Sequence, residues 1–232
     1  MPSPKPPVSG AASVYCSIKT EKMTLQEVTK LARNGEGLHV EFKKKVAHPE
    51  KIVREIIAMA NTEGGYLLIG VDDDGTVSGQ KYIEEDIFLL DNAIRSLIKP
   101  DLKPEKAILS LTPKKGVATY QIEKSDKRPH FVLEDNKKKS YVRVEDRSIQ
   151  ASKEVWEIIK RQKHENDVFF NYGEKETLLM RALTEQPSIT LKQFAHLANL
   201  SKYMASRTLI KLVLANVLKI VPQEMEDLYV LK

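Results

Sequence analysis

The chain has 232 residues and a single cysteine, Cys16. That excludes a disulfide framework and a zinc site built on thiolates, and it fits a reducing, cytoplasmic setting. No apolar run approaches the roughly 18 residues that cross a bilayer, so no membrane span is expected. The first twenty residues lack the apolar core of a secretory signal. No Gly-x-x-x-x-Gly-Lys-Ser/Thr stretch occurs, which removes the loop that P-loop ATPases use to cradle phosphates. His39, His48, His130, His164 and His196 show no ligand spacing. One further absence is local: no Asp or Glu occurs between Gln186 and Gln223.

Hydrophobic residues make up 41% of the chain and charged residues 30%, proportions of a folded chain rather than a disordered one. The net charge of +5 is mildly basic, and the placement of the charges says more than their sum. Residues 1–22, rich in Pro, Ser, Gly and Ala, read as a tail with too little apolar surface to offset its ordering entropy. Thr24-Leu-Gln-Glu27 has the form of a capping box, and the helix it opens should stop near Asn34-Gly35. Leu38, Val40 and Phe42 alternate with His39, Glu41 and Lys43, which predicts a strand with one buried face, His39 and Glu41 sharing the other. Pro49 opens a second helix, and Tyr66–Val71 reads as a central strand covered on both faces. A third helix spans 84–98. Strands follow at 107–111, 117–122, 131–133 and 140–144, the last two separated by a Lys137-Lys138-Lys139 turn, and Ser152 caps a helix carrying Trp156.

The pattern breaks near Lys163, which predicts a first domain over 23–163, a linker over 164–173 and a second domain over 174–232. In the second, three short helices precede a hairpin, the order of a winged helix. Within the acid-free stretch stand Lys192, Lys202, Arg207, Lys211 and Lys219. Ala205, Leu209, Leu212 and Val213 turn inward at helical spacing, leaving Lys202, Tyr203, Ser206, Arg207 and Lys211 outward. Those are residue types that contact phosphates and base edges from a helix in the major groove. A solvated face or a dimerisation module would leave the same pattern.

Three carboxylate sites, Glu36, Glu41 and Asp73, stand beside Lys43 and Lys44. Carboxylates could hold a hard cation such as Mg²⁺ at a phosphodiester. Glu36 and Glu41 are five apart and fall on opposite faces of one regular strand, so they converge only if Glu36 lies in the preceding turn. Asp72-Asp-Asp-Gly75 also suits a plain turn.

Glu36-Gly-Leu-His-Val-Glu41-Phe-Lys43, then Ile57-Ala-Met-Ala-Asn61-Thr-Glu-Gly64-Gly65-Tyr-Leu-Leu-Ile-Gly70-Val-Asp-Asp73-Asp-Gly75, resembles the Schlafen-AlbA DNA-binding domain family. Arg128-Pro-His130 and Tyr141-Val-Arg143-Val144 are similar to its strand motifs, so the resemblance runs from Leu25 to Trp156. It implies an α+β fold, a mixed β-sheet flanked by helices, here followed by a winged helix-turn-helix domain. Bacterial members are regarded as nucleic-acid-binding, regulator-like proteins. This implies a DNA-binding, transcription-regulator-like protein, acting on DNA or structured RNA, with Lys43, Lys44 and Arg143 joining Lys202, Tyr203, Ser206, Arg207 and Lys211 in contact. Such a protein requires no cofactor. Animal members cleave structured RNA using three acids, which correspond here to Glu36, Glu41 and Asp73. The alternative they imply is a metal-dependent endoribonuclease holding Mg²⁺ or Mn²⁺ on those residues. Glu145 stands where the family commonly has Gly. A homodimer is expected, since helix-turn-helix proteins read paired half-sites. A dimeric scaffold for a protein partner, using Phe169 and Phe170, is a further alternative.

In the first domain, Asn61 is expected to cap carbonyls at its helix end, and Gly64, Gly65 and Gly70 to serve the turn and close backbone approach.

Overall fold

The computed structural model describes residues 23–162 and 172–232. The expected tail, Cys16, nearly all of the expected linker, His164, Phe169 and Phe170 lie outside the described residues. The chain is α+β, with seven helices and mixed sheets among the described residues.

Thr24 caps helix α1 (Leu25–Arg33) through the reciprocal bonds its sequence promised. Its hydroxyl accepts from the Glu27 N–H, and the Glu27 carboxylate accepts from the Thr24 N–H at 2.7 Å. Strand β1 (Val40–Lys43) runs parallel to β2 (Gly65–Ile69), with helix α2 (Pro49–Asn61) as the connection. β3 (Gln80–Lys81), α3 (Ile83–Leu97), β4 (Glu105–Thr112) and β5 (Lys115–Ile122) follow. β2 and β3 both pair antiparallel with β5, and β4 pairs along the length of β5. The sheet is therefore mixed, with β1 at an edge.

The alternation of side chains across the sheet separates two apolar layers. Leu67 and Ile69 face α2 and α3 beside Ala118, Tyr120 and Ile122. Val40, Phe42 and Leu68 face α1 through Val28 and Ala32. Gly65 keeps β2 close to the chain entering β1. A Cβ there would stand 2.5 Å from the His39 carbonyl oxygen, and the Gly65 φ of +156° also disfavours other residues.

Two hairpins complete the N-terminal part: β6 (Val132–Glu134) with β7 (Lys137–Lys139), and β8 (Tyr141–Val144) with β9 (Arg147–Gln150). Here the structure departs from the sequence expectation. Lys137–Lys139 form a strand, and the turn is Asp135-Asn136, both with positive φ (51° and 58°). Asn and Asp tolerate that region, so the hairpin signal lay one step upstream of the lysines. Glu145 also has positive φ, 57°, which explains on backbone grounds why glycine suits this position.

Ser152 caps α4 (Lys153–Arg161), its hydroxyl accepting from the Val155 N–H at 3.1 Å. The C-terminal segment runs α5 (Glu174–Glu185), β10 (Ile189–Thr190), α6 (Leu191–Leu197), α7 (Lys202–Leu214), β11 (Leu218–Val221) and β12 (Leu228–Leu231). Its three strands pair antiparallel in the order β10-β12-β11 over a cluster that includes Leu179, Phe194, Leu209, Leu212 and Tyr229. This segment rests on α4: Ile220 joins Val142, Val155 and Ile159, and the Ser152 hydroxyl donates to Asp227.

Candidate functional site

β1 begins at Val40, with His39 in the turn before it, so His39 and Glu41 do not share a strand face. His39 instead sets its Nδ1 3.3 Å from the Gly64 carbonyl oxygen. The expected polar face of β1 is also buried, Glu41 being 4% exposed. The reason is tertiary. Position 41 points to the α2 side of an edge strand, and the β8–β9 hairpin, packed on α2, lays Arg143 over it.

Arg143 holds this corner together. Its Nη2 lies 2.6 Å from Glu41 Oε2 and its Nη1 2.8 Å from Glu55 Oε2, while Nε and Nη2 donate to the Gly37 carbonyl at 3.1 and 2.9 Å. With its side chain 1% exposed, the guanidinium is spent inside the protein and is not presented to a phosphate, unlike the sequence expectation. Lys43 is likewise engaged. Its ammonium donates to Glu41 Oε1, bonds the Phe42 carbonyl at 3.1 Å and lies 3.6 Å from Glu36 Oε1. Burial alone would lower the Lys43 ammonium. The hydrogen bond and charge of Glu41, followed by Glu36 and Glu55, override it and keep the pKa above its ordinary value.

Glu36 occupies the turn before β1, the one placement that lets it meet Glu41, and its carboxylate accepts from the Phe42 N–H at 3.1 Å. Burial, offset in part by that bond, raises its pKa, with the Glu41 charge adding to the rise. Glu55 was not singled out by sequence reasoning. Its spacing from Ile52 and Met59 puts it on the border of the apolar stripe of α2, which is the signal that could have found it. Burial raises its pKa as well, and the Ser148 hydroxyl donates to it. Three carboxylates therefore share two cations in a partly buried cluster.

Asp73 is not part of this group. It lies in the Asp72–Gly75 turn beyond β2, where the Gly75 N–H bonds the Asp72 carbonyl at 2.8 Å. Exposed Lys44 pairs with Asp72 at 2.8 Å. Among the described residues, no group of three His, Cys, Asp or Glu side chains is placed to hold a metal ion. Both Glu41 oxygens are held by cations, so Glu36, Glu41 and Asp73 as arranged here do not fit a Mg²⁺ or Mn²⁺ ion, which needs free oxygen ligands on one centre.

Asn61 does cap carbonyls, though not those of its own helix. Its amide donates to the His130 and Tyr141 carbonyls at 3.0 and 2.9 Å and accepts from the His130 N–H at 2.7 Å, tying α2 to β8 and to the segment that leads into β6.

On α7, Ser201 caps the helix, and Lys202, Tyr203, Arg207 and Lys211 are exposed. Arg207 sits 5.6 Å above the Tyr203 ring. Ser206 faces the other way, its hydroxyl donating to Glu154 of α4 at 2.6 Å. The sequence placed it outward because the helical pattern of α7 cannot show that α4 covers one flank.

Among the described residues, no helix is long and apolar enough to cross a membrane. No curated protein matches the chain. Among solved structures, it is similar to the DIP2311 protein of Corynebacterium diphtheriae at 19% identity and a TM-score of 0.43, over 69% of this chain and 32% of that one. The chain thus spans about a third of that protein's length. It is also similar to the N-terminal domain of a RecG-related protein from Nitrosomonas europaea at 22% identity and a TM-score of 0.41, over 50% of this chain and 86% of that one. A family model, Schlafen, AlbA_2, matches residues 36–152, from Glu36 of the charged corner to the cap of α4. With half its length matched, the chain belongs to the Schlafen, AlbA_2 family.

Proposed function

We propose that this chain is a nucleic-acid-binding, transcription-regulator-like protein that docks on duplex DNA through α7. The observation that carries the reading is the exposed face of that helix, where Lys202, Tyr203, Arg207 and Lys211 stand in a stretch without a single acid. The order α5-β10-α6-α7-β11-β12 suits a winged helix whose α7 enters the major groove. A homodimer follows from the same reading, since paired helices read paired half-sites. The family, which takes its name from AlbA and Schlafen proteins, supports association with nucleic acid.

The test is duplex binding across a salt series for the wild type and for Arg207→Glu/Lys211→Glu. Removing one phosphate-binding cation should reduce the salt slope by about 1, so the double change reduces it by about 2 and weakens binding to all sequences. Unchanged affinity in the double variant would remove α7 from the interface. The endoribonuclease alternative would require Glu41 to leave Arg143 and Lys43, and Asp73 to join it. The cation pairing at Glu41 favours the binding reading.

A further inference from the structure

A second basic surface lies well away in sequence from α7. The 127–129 turn, β7 and α4 enclose an open cleft of about 640 Å³, lined by Lys127, Arg128, Lys138, Lys153, Lys160 and Trp156 among others, with no acidic side chain in its wall among the described residues. Lys153, Trp156 and Lys160 recur at helical spacing and share one face of α4, opposite the buried Val155, Ile158 and Ile159. Four nearby acids are engaged with other groups, Asp227 with Ser152 of the wall itself, while Asp126 borders Lys127 in the turn. Glu134 pairs with Arg54 and Lys139, Glu157 with Arg161, and Glu154 takes the Ser206 hydroxyl. Among the described residues, none of the five cleft cations has an ion-pair partner.

Like charges gathered in a concave wall without counter-charges repel one another, and a polyanion relieves that repulsion. The aromatic content narrows the choice of polyanion. Trp156 lines the cleft and packs on Phe131, ring centroids 5.5 Å apart at 59°, while the Lys138 ammonium lies 4.9 Å from the Phe131 ring centre. An indole held in this way among lysines offers a platform for an unpaired base, a surface that a stacked duplex cannot use.

We propose that this cleft binds single-stranded nucleic acid, with phosphates along Lys127, Arg128, Lys138, Lys153 and Lys160 and a base against Trp156. The proposal rests on the nucleic-acid-binding reading above but not on α7. It assigns the N-terminal part a strand-binding role of its own, beside duplex docking by the C-terminal segment.

Trp156 is the only tryptophan, so its fluorescence reports on this cleft alone. The full chain is titrated with a short mixed-sequence single-stranded DNA and with the matching duplex, at several salt concentrations. The wild type is compared with Lys138→Gln/Lys153→Gln/Lys160→Gln and with Arg207→Glu/Lys211→Glu, and circular dichroism verifies the fold of each. The single strand should quench Trp156 in the wild type and in the α7 variant. In the triple variant the salt slope should flatten by about 2, since each neutralised phosphate on a single strand adds roughly 0.7 to it. An unchanged affinity and slope in the triple variant, or equal quenching by duplex, overturns the proposal. If single-strand binding survives the triple change while duplex binding is lost with Arg207 and Lys211, the cleft assignment falls and the proposed function stands. If the wild type binds neither nucleic acid, both fall.

Discussion

Replacing Glu41 with Gln tests whether the charged corner holds the fold together. The change keeps the volume of the side chain and removes one charge from beneath Arg143, whose side chain is 1% exposed. Removing one partner of a buried ion pair costs about 3–5 kcal/mol, because the surviving charge stays desolvated. Arg143 retains Glu55 at 2.8 Å and the Gly37 carbonyl at 2.9 Å, so the lower end applies. In a chain of this size each kcal/mol moves Tm by roughly 2–4 °C, so Glu41→Gln should lower Tm by about 6–12 °C. Thermal unfolding followed by circular dichroism reads this directly. Arg143→Met should destabilise to a similar degree, since it strips Glu41 and Glu55 of their shared cation. The double variant Glu41→Gln/Arg143→Met should lose clearly less than the sum, because no uncompensated guanidinium remains. A Tm for Glu41→Gln within about 2 °C of wild type, or additive losses, would refute the reasoning. The result also bears on enzymology. Loss of an RNA-cleaving activity in a Glu41 variant would not separate a chemical role from a structural one, so Glu36, at 36% side-chain exposure, is the better chemical control.

Glu36→Gln should behave oppositely. Burial raises the Glu36 carboxyl above its ordinary value, so the folded state holds the proton more tightly than the unfolded chain. Its contribution is therefore most favourable below the ordinary glutamate value and is lost as pH rises through the raised folded value. Urea denaturation should find Glu36→Gln as stable as wild type or more so at neutral pH, with the difference vanishing in the acid range below that ordinary value; a variant less stable at neutral pH contradicts this. Ser206→Ala removes the bond to Glu154 and should cost about 1.5 kcal/mol in the same assay while leaving duplex affinity unchanged. A loss of DNA affinity without a loss of stability would return Ser206 to the binding face.

Much of the local structure could be read from the residues because its causes are local. The capping box at Thr24, Pro49 at a helix start, the buried run of β2 and the inward stripe of α7 all follow from hydrogen bonds and periodicities within a few residues. So did the condition that Glu36 meets Glu41 only from the preceding turn. Burial of Glu41, the engagement of Arg143 and Lys43, the inclusion of Glu55 and the separation of Asp73 had no such signal. They arise because a hairpin distant in sequence closes over an edge strand, and a charge facing a cation 102 residues away reads in sequence like a charge facing water. The cleft around Trp156 has the same origin, assembled from three segments whose lysines look like ordinary solvated surface until the chain brings them to one wall. Periodicity and capping determined the helices and the buried strand β2; long-range packing decided which charges are buried in pairs and which remain open to a partner.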